Sequence, residues 1–450
     1  MNTIMPDDFD SQKLRIYPVT RIDGRADIEV LFASGGKVSG ARFRALEVRG
    51  LEHLVHGMPA LRAPQVVSRA CGACGPFHQL ASCLALEKIA GCVVPEQASR
   101  LREVICWLNY GMDHLLNITY HELPDYALPM SDVAVRNVTG MYMVQQEAIS
   151  GLTGAICAIR DASASLAGAC VHPSVIVPGG VASMPDERVV DRAVEALKGC
   201  EDDIREAIRL AEMLIKRDEK VMDSVPMQGS MAVLTADGDP SPVGDAVTMK
   251  AFAAPSDTIV LSPEDFYASI VKEPVSWSYI VPVAVGDSRP LLVGPLARLN
   301  NGFVADTPLA KLESDRVKEQ WGEVLDRPLF NFMAVMIEAA RAWEKSIALL
   351  SEGPFVGDSA APLEFSGSSG VAVVDSPRGL LLHKLKLSKG STISSYEIIS
   401  PLQFNHDMLN DSLSKVALDA VDGLDMDDAV SGRLELIVRS FNPCVSCGTH

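Results

Sequence analysis

The chain has 450 residues, of which 48% are hydrophobic and 22% charged, a composition that supports a large buried core and excludes a disordered or fibrous protein. A formal net charge of −18 excludes a general nucleic-acid surface, because phosphate binding needs clustered Lys and Arg to displace counterions. No apolar run is long enough to span a bilayer, and the acidic residues 1–10 lack the basic and apolar regions of a secretory leader, so no secretory signal is expected.

Residues 14–48 alternate apolar and polar positions around Ser34-Gly35-Gly36-Lys37, which predicts a hairpin and a small N-terminal β region. From 97 to 120 the apolar residues Leu101, Val104, Ile105, Leu108, Met112, Leu115 and Leu116 mark one helix face, and Pro124 is expected to end the run. Further helices are predicted over 140–169, 187–222 and 328–351. Between them, residues 223–310 are rich in Pro, Gly and Asp and read as an irregular α+β insertion. Two short strands are predicted around Ser376-Pro377-Arg378-Gly379. At this length one large domain, or two fused ones, is expected.

Ten cysteines are too sparse for a disulfide scaffold in a chain of this length, and a reducing compartment is the simpler reading. Cys83, Cys92, Cys106, Cys157, Cys170 and Cys200 stand singly among apolar or small residues and read as small buried hydrophobes. The other four form the two C-x-x-C pairs, Cys71-Gly-Ala-Cys74 and Cys444-Val-Ser-Cys447. Each spacing lets two thiolates converge on one metal. Neither pair has the βαβ context of a thioredoxin-like disulfide. A structural Cys₄ zinc site stays open on spacing alone, although zinc-ribbon pairs usually lie within a few tens of residues of each other and these stand at opposite ends of the chain.

The flanking residues carry a resemblance. Arg69-Ala-Cys71-Gly-Ala-Cys74-Gly-Pro-Phe-His78, followed by Leu80-Ala-Ser82, resembles the N-terminal signature of nickel-iron hydrogenase large subunits, R-x-C-G-x-C-x-x-x-H and L-A-S. Asn442-Pro-Cys444-Val-Ser-Cys447-Gly-Thr-His450 resembles their C-terminal D-P-C-x-x-C-x-x-H. Between these, Arg21-Ile-Asp-Gly24 is similar to R-I-E-G, Arg49-Gly-Leu-Glu52 to R-G-F-E, Pro124-Asp125-Tyr126 to P-D-F, Pro377-Arg378-Gly379 to P-R-G, and Ile398–Pro401 with Asn405 to V-P-T-T-W-N.

The resemblance implies a mainly α chain with peripheral β elements (α+β), folded over 1–450 as a single large-subunit-like helical-bundle domain that cleaves H2 reversibly and heterolytically at a nickel-iron centre, with carbon monoxide and cyanide on the iron. Cys71 and Cys444 would be terminal nickel ligands, and Cys74 and Cys447 would bridge nickel to iron. Cys444 would receive the proton and Asp23, one methylene shorter than the family's Glu, would relay it. Arg378 would lie over the metals, paired with Asp125; relatives add an Asp where this chain has Asn442, so a looser Arg378 is expected. His78 would donate to a bridging sulfur. Glu52, the Ile398 carbonyl and His450 would bind a hard ion, usually magnesium. Leu402 replaces a residue that often offers a hydroxyl to an iron-bound cyanide, a contact left to Ser400 or lost.

Electrons would leave through an iron-sulfur small subunit, since no further cysteine cluster is present, and then through reductase subunits using a flavin, NAD(P), a deazaflavin or a heterodisulfide. A hydrogenase-fold subunit that has lost its chemistry is the other family-level reading, and a zinc-stabilised structural subunit the non-enzymatic one. His53, His56, His114, His121, His172, His383 and His406 lie in no ligand spacing and read as surface or satisfied core histidines. Relatives are often made with a tail that is cleaved after the terminal His; a chain stopping at His450 is expected to be mature or encoded without one.

Overall fold

The computed structural model describes residues 13–129, 131–217, 226–302, 307–421 and 426–450. Strands β1 (Lys13–Ile16), β2 (Ala26–Phe32) and β3 (Val38–Ala45) form an antiparallel sheet in that order, with the turn closed by Ala33 N–H donating to the Lys37 carbonyl at 2.8 Å. The predicted hairpin is thus present, with one further strand added by Lys13–Ile16.

Helices α1 (Gly75–Ala90), α2 (Glu96–Leu116) and α3 (Gln146–Ala167) begin the helical core. Pro124 does not end the run that includes α2. The chain widens into a π-type turn at Asn117–Glu122 and re-enters a helix at Leu123–Ala127, whose first turn accommodates Pro124 because no N–H is needed there. The helix predicted over 187–222 is broken into α4 (Glu187–Lys198) and α5 (Glu201–Arg217) at Gly199-Cys200. Glycine is a poor helix former, and Glu201, Asp202 and Asp203 suit the positive end of a new helix. Residues 218–222 of that prediction lie outside the described residues.

The stretch from 226 to 302 folds into sheet and helix. Strands β4 (Ser230–Ala236), β5 (Ala246–Ala251) and β6 (Thr258–Leu261) pair in sequence order, and α6 (Pro295–Asn301) follows. The long α7 (Phe330–Ser351) is buried along most of its length against α2. Strands β7 (Ser369–Ser376), β8 (Gly379–Leu387) and β9 (Ile393–Ile399) make a second antiparallel sheet that packs on α1. A Cβ at Gly370 would lie 2.2 Å from the Ala85 carbonyl, so only glycine permits so close an approach.

Helix α8 (Pro401–Ala420) covers the outer edge of β3: Ser414 Oγ accepts from Ala41 N–H at 3.0 Å and donates to its carbonyl at 2.9 Å, and Asn410 Oδ1 accepts from Phe43 N–H at 2.8 Å. These side chains replace the missing strand, which leaves the edge without unpaired groups there. Helix α9 (Asp428–Ser440) then leads to the short α10 (Val445–Gly448). Among the described residues no helix is long and apolar enough to cross a membrane. Of the six single cysteines, Cys83, Cys106 and Cys200 are buried as expected, whereas Cys92, Cys157 and Cys170 are only partly so.

Candidate metal centre

Both C-x-x-C pairs sit where an irregular segment turns into a helix. Cys71 is extended, at φ −152° and ψ 147°, and Cys74 is the N-cap of α1, with its carbonyl accepting from Phe77 and His78 N–H at 3.0 Å each. The positive end of a 16-residue helix therefore faces the sulfurs. Cys444 is the N-cap of α10, and Cys447 lies one turn on.

Three contacts bring the distant ends together. Val445 N–H donates to the Asp23 carbonyl at 2.9 Å, Arg49 N–H donates to the Thr449 carbonyl at 2.7 Å, and the Arg49 guanidinium donates to the carbonyls of Arg69 and Ala70. Gly24, at φ 105°, makes the first possible, since a Cβ there would lie 2.7 Å from Val445 Cβ.

The four Sγ atoms lie within 4.8 Å of one another and all four residues are buried. Cys444 Sγ is 3.1 Å from Cys71 Sγ and 2.9 Å from Cys447 Sγ. Hydrogen bonds from Cys444, Cys447 and Cys74 hold the Cys71 thiol well below its usual range. Hydrogen bonding to Cys444 pushes Cys74 up, and burial pushes up Cys444 and Cys447. The protein alone thus stabilises one thiolate, and ionising the others requires a cation. A metal centre held by soft ligands fits these residues.

Arg378 projects from the two-residue turn between β7 and β8, in which Ser376 pairs with Gly379. Its Nε and Nη2 donate to the two carboxylate oxygens of Asp113 at 3.2 and 2.9 Å, and Nη2 lies 2.5 Å from Asp23 Oδ2. Burial alone would lower its pKa; Asp113 and Asp23, with the Cys444 and Cys74 sulfurs, raise it well above the ordinary value. Nη1 is buried without a hydrogen-bond partner among the described residues. The turn is itself gripped by Arg298, fully buried on α6, which donates to the Ser376 and Pro377 carbonyls at 3.1 and 2.8 Å while paired with Glu338 and Asp375.

Asp125 is not the partner of Arg378. It bridges Arg21 and Arg439, the latter at 2.9 Å, and Arg439 also pairs with Glu435 at 2.8 Å and donates to the Thr20 carbonyl at 3.0 Å. The helix carrying Asp125 begins beyond the π-type turn, and its carboxylate is taken up between the loop before Gly24 and α9. Nor is Arg378 held loosely: Asp113 supplies the charge that Asn442 lacks. Asn442 adopts the left-handed conformation, φ 43°, which asparagine tolerates better than most residues, and its Nδ2 has no partner among the described residues.

His78 Nε2 is 3.2 Å from Cys447 Sγ, and burial lowers the ring's pKa to about 4, so it is neutral at physiological pH. Glu52 and His450 approach each other, Oε1 to Nε2 3.4 Å, while His450 Nδ1 is 2.6 Å from the Cys447 carbonyl. Burial would raise the Glu52 carboxyl, but His450 and the Ile398 N–H hold it below the usual range. Ile398 meets Glu52 through that N–H, at 2.6 Å, which is a donor and not a ligand atom. Ser400 is buried at the N-cap of α8 with no partner for Oγ among the described residues, and Leu402 packs near Gly448. Two residues left aside by sequence reasoning join the site: Asp113, and His383, whose Nε2 is 3.0 Å from His78 Nδ1.

A helical bundle with peripheral sheets and a buried four-cysteine site built from both chain ends defines the architecture of a hydrogenase large subunit. The family of nickel-dependent hydrogenases matches residues 49–132, and a HoxL-like family matches residues 13–48. The corresponding chain of the F420-non-reducing hydrogenase of Methanothermobacter thermautotrophicus is 28% identical, over 97% of this chain and 94% of its own length. The alpha chain of sulfhydrogenase 2 from Pyrococcus furiosus is 27% identical, over 96% and 97%. The beta chain of the NAD-reducing hydrogenase HoxS from Cupriavidus necator is 26% identical, over 98% and 95%. An NAD+-reducing [NiFe]-hydrogenase solved in the H2-reduced state superposes with a TM-score of 0.90 at 25% identity, covering 98% of this chain and 99% of that one. The chain is the catalytic large subunit of a nickel-iron hydrogenase, an oxidoreductase acting on H2.

Proposed function

We propose that H2 is cleaved beside Cys444 and that the proton leaves through Asp23. When bound, nickel and iron supply the Lewis-acidic site at which H2 is polarised, and the four thiolates of Cys71, Cys74, Cys444 and Cys447 hold that pair. The chain's own residues do the rest. Cys444 accepts the proton. Asp23, joined to the Cys444 segment through its backbone and 35% exposed at its side chain, connects the buried sulfur to solvent. Arg378, clamped by Asp113, steadies Asp23, and its Nη1, with no hydrogen-bond partner among the described residues, is left for a group bound at the centre. The observation that carries this reading is the Asp113–Arg378–Asp23 chain of charges beside the sulfurs, which a closed structural zinc site does not need.

When bound, the iron would hold carbon monoxide and cyanide, and Ser400 Oγ, buried without a partner among the described residues, would donate to one cyanide. Glu52, the Ile398 carbonyl and His450 would hold a hard divalent ion such as magnesium, which would pin the C-terminal segment to the core. Among the described residues only these four cysteines form a metal-binding cluster of three or more His, Cys, Asp or Glu ligands, so electrons pass to a small iron-sulfur partner protein and from there to a soluble reductase in the cytoplasm. Isotope exchange tests the reading without any electron acceptor: the complex under D2 in H2O forms HD if cleavage is heterolytic with a protein proton acceptor. A nickel- and iron-loaded complex that forms no HD contradicts it.

A further inference from the structure

A row of hydrogen bonds runs away from the metal centre through residues that no catalytic step above uses. His78 Nε2 is 3.2 Å from Cys447 Sγ, His78 Nδ1 is 3.0 Å from His383 Nε2, and His383 Nδ1 is 2.8 Å from Tyr396 Oη. Both imidazoles are fully buried and Tyr396 is 7% exposed. The row crosses three elements: His78 lies on α1, His383 on β8 and Tyr396 on β9.

The direction of every bond follows from what stands at the two ends. Two ring nitrogens 3.0 Å apart can share only one hydrogen between them, and in two fully buried rings each imidazole then carries one N–H. Burial raises the tyrosine, which keeps its O–H. A metal-bridging thiolate can only accept, so His78 must present its N–H at Nε2. Its Nδ1 is then a lone pair, which requires the N–H of His383 at Nε2. The Nδ1 of His383 is a lone pair in turn, and it requires a donor. Tyr396 is that donor. The opposite polarity would set an imidazole lone pair against an anionic sulfur.

We propose that Tyr396 is a positioning residue for the metal centre: its hydroxyl fixes the tautomers of His383 and His78 so that an N–H is always directed at Cys447 sulfur. The inference rests on the assignment of Cys447 as a bridging ligand. An N–H donated to a thiolate withdraws electron density from it, so a secure bond makes the metals less electron-rich.

The test is infrared spectroscopy of the iron-bound carbon monoxide and cyanide in the purified complex, with nickel and iron content measured alongside. In Tyr396→Phe both rings can take either tautomer, the bond to Cys447 weakens, and the carbon monoxide band is expected to move to lower wavenumber with metal content retained. H2 uptake should fall about 10- to 100-fold, as is usual when a group supporting a metal ligand is lost. The single variant His383→Gln should keep the wild-type band, because Tyr396 still donates to the amide oxygen and so turns the amide NH2 toward His78 Nδ1, whereas in the double variant His383→Gln/Tyr396→Phe the amide can turn either way and the band should shift. A merely structural tyrosine predicts the same band in both. An unmoved band in Tyr396→Phe, or a double variant whose band matches that of His383→Gln, overturns the proposal. If Tyr396→Phe fails to fold, His383→Gln and His383→Leu decide the matter alone: the first should keep the wild-type band and the second should move it, and equal bands overturn the proposal. Absence of carbon monoxide and cyanide bands from the wild-type complex would instead refute the cofactor reading.

Discussion

Arg378 and Asp113, 265 residues apart in sequence, meet in a two-point ion pair in the buried interior, and that pair aims a guanidinium whose electrostatic partners include Asp23 and the Cys444 and Cys74 sulfurs. The Asp113 variant is the direct probe of it. Asp113→Asn removes the charge but keeps the shape, so Arg378 loses one of its two carboxylate partners and its fixed orientation. H2 turnover should fall while nickel and iron content stays near wild type. Asp125→Asn should act differently. It breaks a buried bridge to Arg21 and Arg439 that does not include Arg378, so it should lower unfolding stability by roughly 3–5 kcal/mol in denaturant titrations. Turnover per folded, metal-loaded molecule should be preserved.

Replacing Asp23 tests the proton route. Asp23→Asn removes the titratable group beside Cys444, and turnover should drop by about 10²- to 10⁴-fold, the usual contribution of an acid–base group. Asp23→Glu should retain activity, because a side chain 35% exposed leaves room for one methylene. The infrared signature should persist in both variants. Wild-type turnover in Asp23→Asn would mean that the proton leaves elsewhere.

Changing any one of Cys71, Cys74, Cys444 or Cys447 to Ala should abolish H2 uptake, since the four sulfurs form one buried cluster. Methyl viologen reduction under H2 measures this, and normal uptake in any single variant would contradict the ligand assignment.

Glu122 predicts a pH dependence of stability. It is fully buried in the π-type turn, accepting from Asn117 Nδ2 at 2.6 Å, and burial raises its pKa from 4.5 to about 8. The folded state therefore holds this proton more tightly than the unfolded one. The contribution is fully present below pH 4.5 and is lost as pH rises to about 8, with a slope of up to about 1.4 kcal/mol per pH unit. Glu122→Gln keeps the acceptor and removes the titration, so its denaturation midpoint should vary less over this window than that of the wild type.

The cysteine pairs and their flanking motifs are legible in the sequence because ligand types at fixed spacing state their chemistry directly. Arg378, Asp23 and His78 come with them, and the structure puts all three at the centre. What stays hidden is pairing across the fold. Asp113 escapes notice because one apolar face is enough to identify α2, whereas the helix is buried nearly all round; an Asp-His pair inside it, at Asp113 and His114, is the available signal. His383 is hidden by alternation: on β8 it shares a face with Leu381 and Leu385, where a buried polar residue needs a partner that only the register with β9 and the packing of α1 supply. Asp125 misleads because a local motif match says nothing about which of several arginines lies within reach.

The central claim is that the four thiolates hold nickel and iron together. Metal analysis of the purified complex, combined with its infrared spectrum, tests it most directly. Nickel together with iron, the iron in excess because the iron-sulfur partner adds its own, with carbon monoxide and cyanide bands that are lost in Cys447→Ala, is the expected result; zinc alone, with no such bands, would contradict the account.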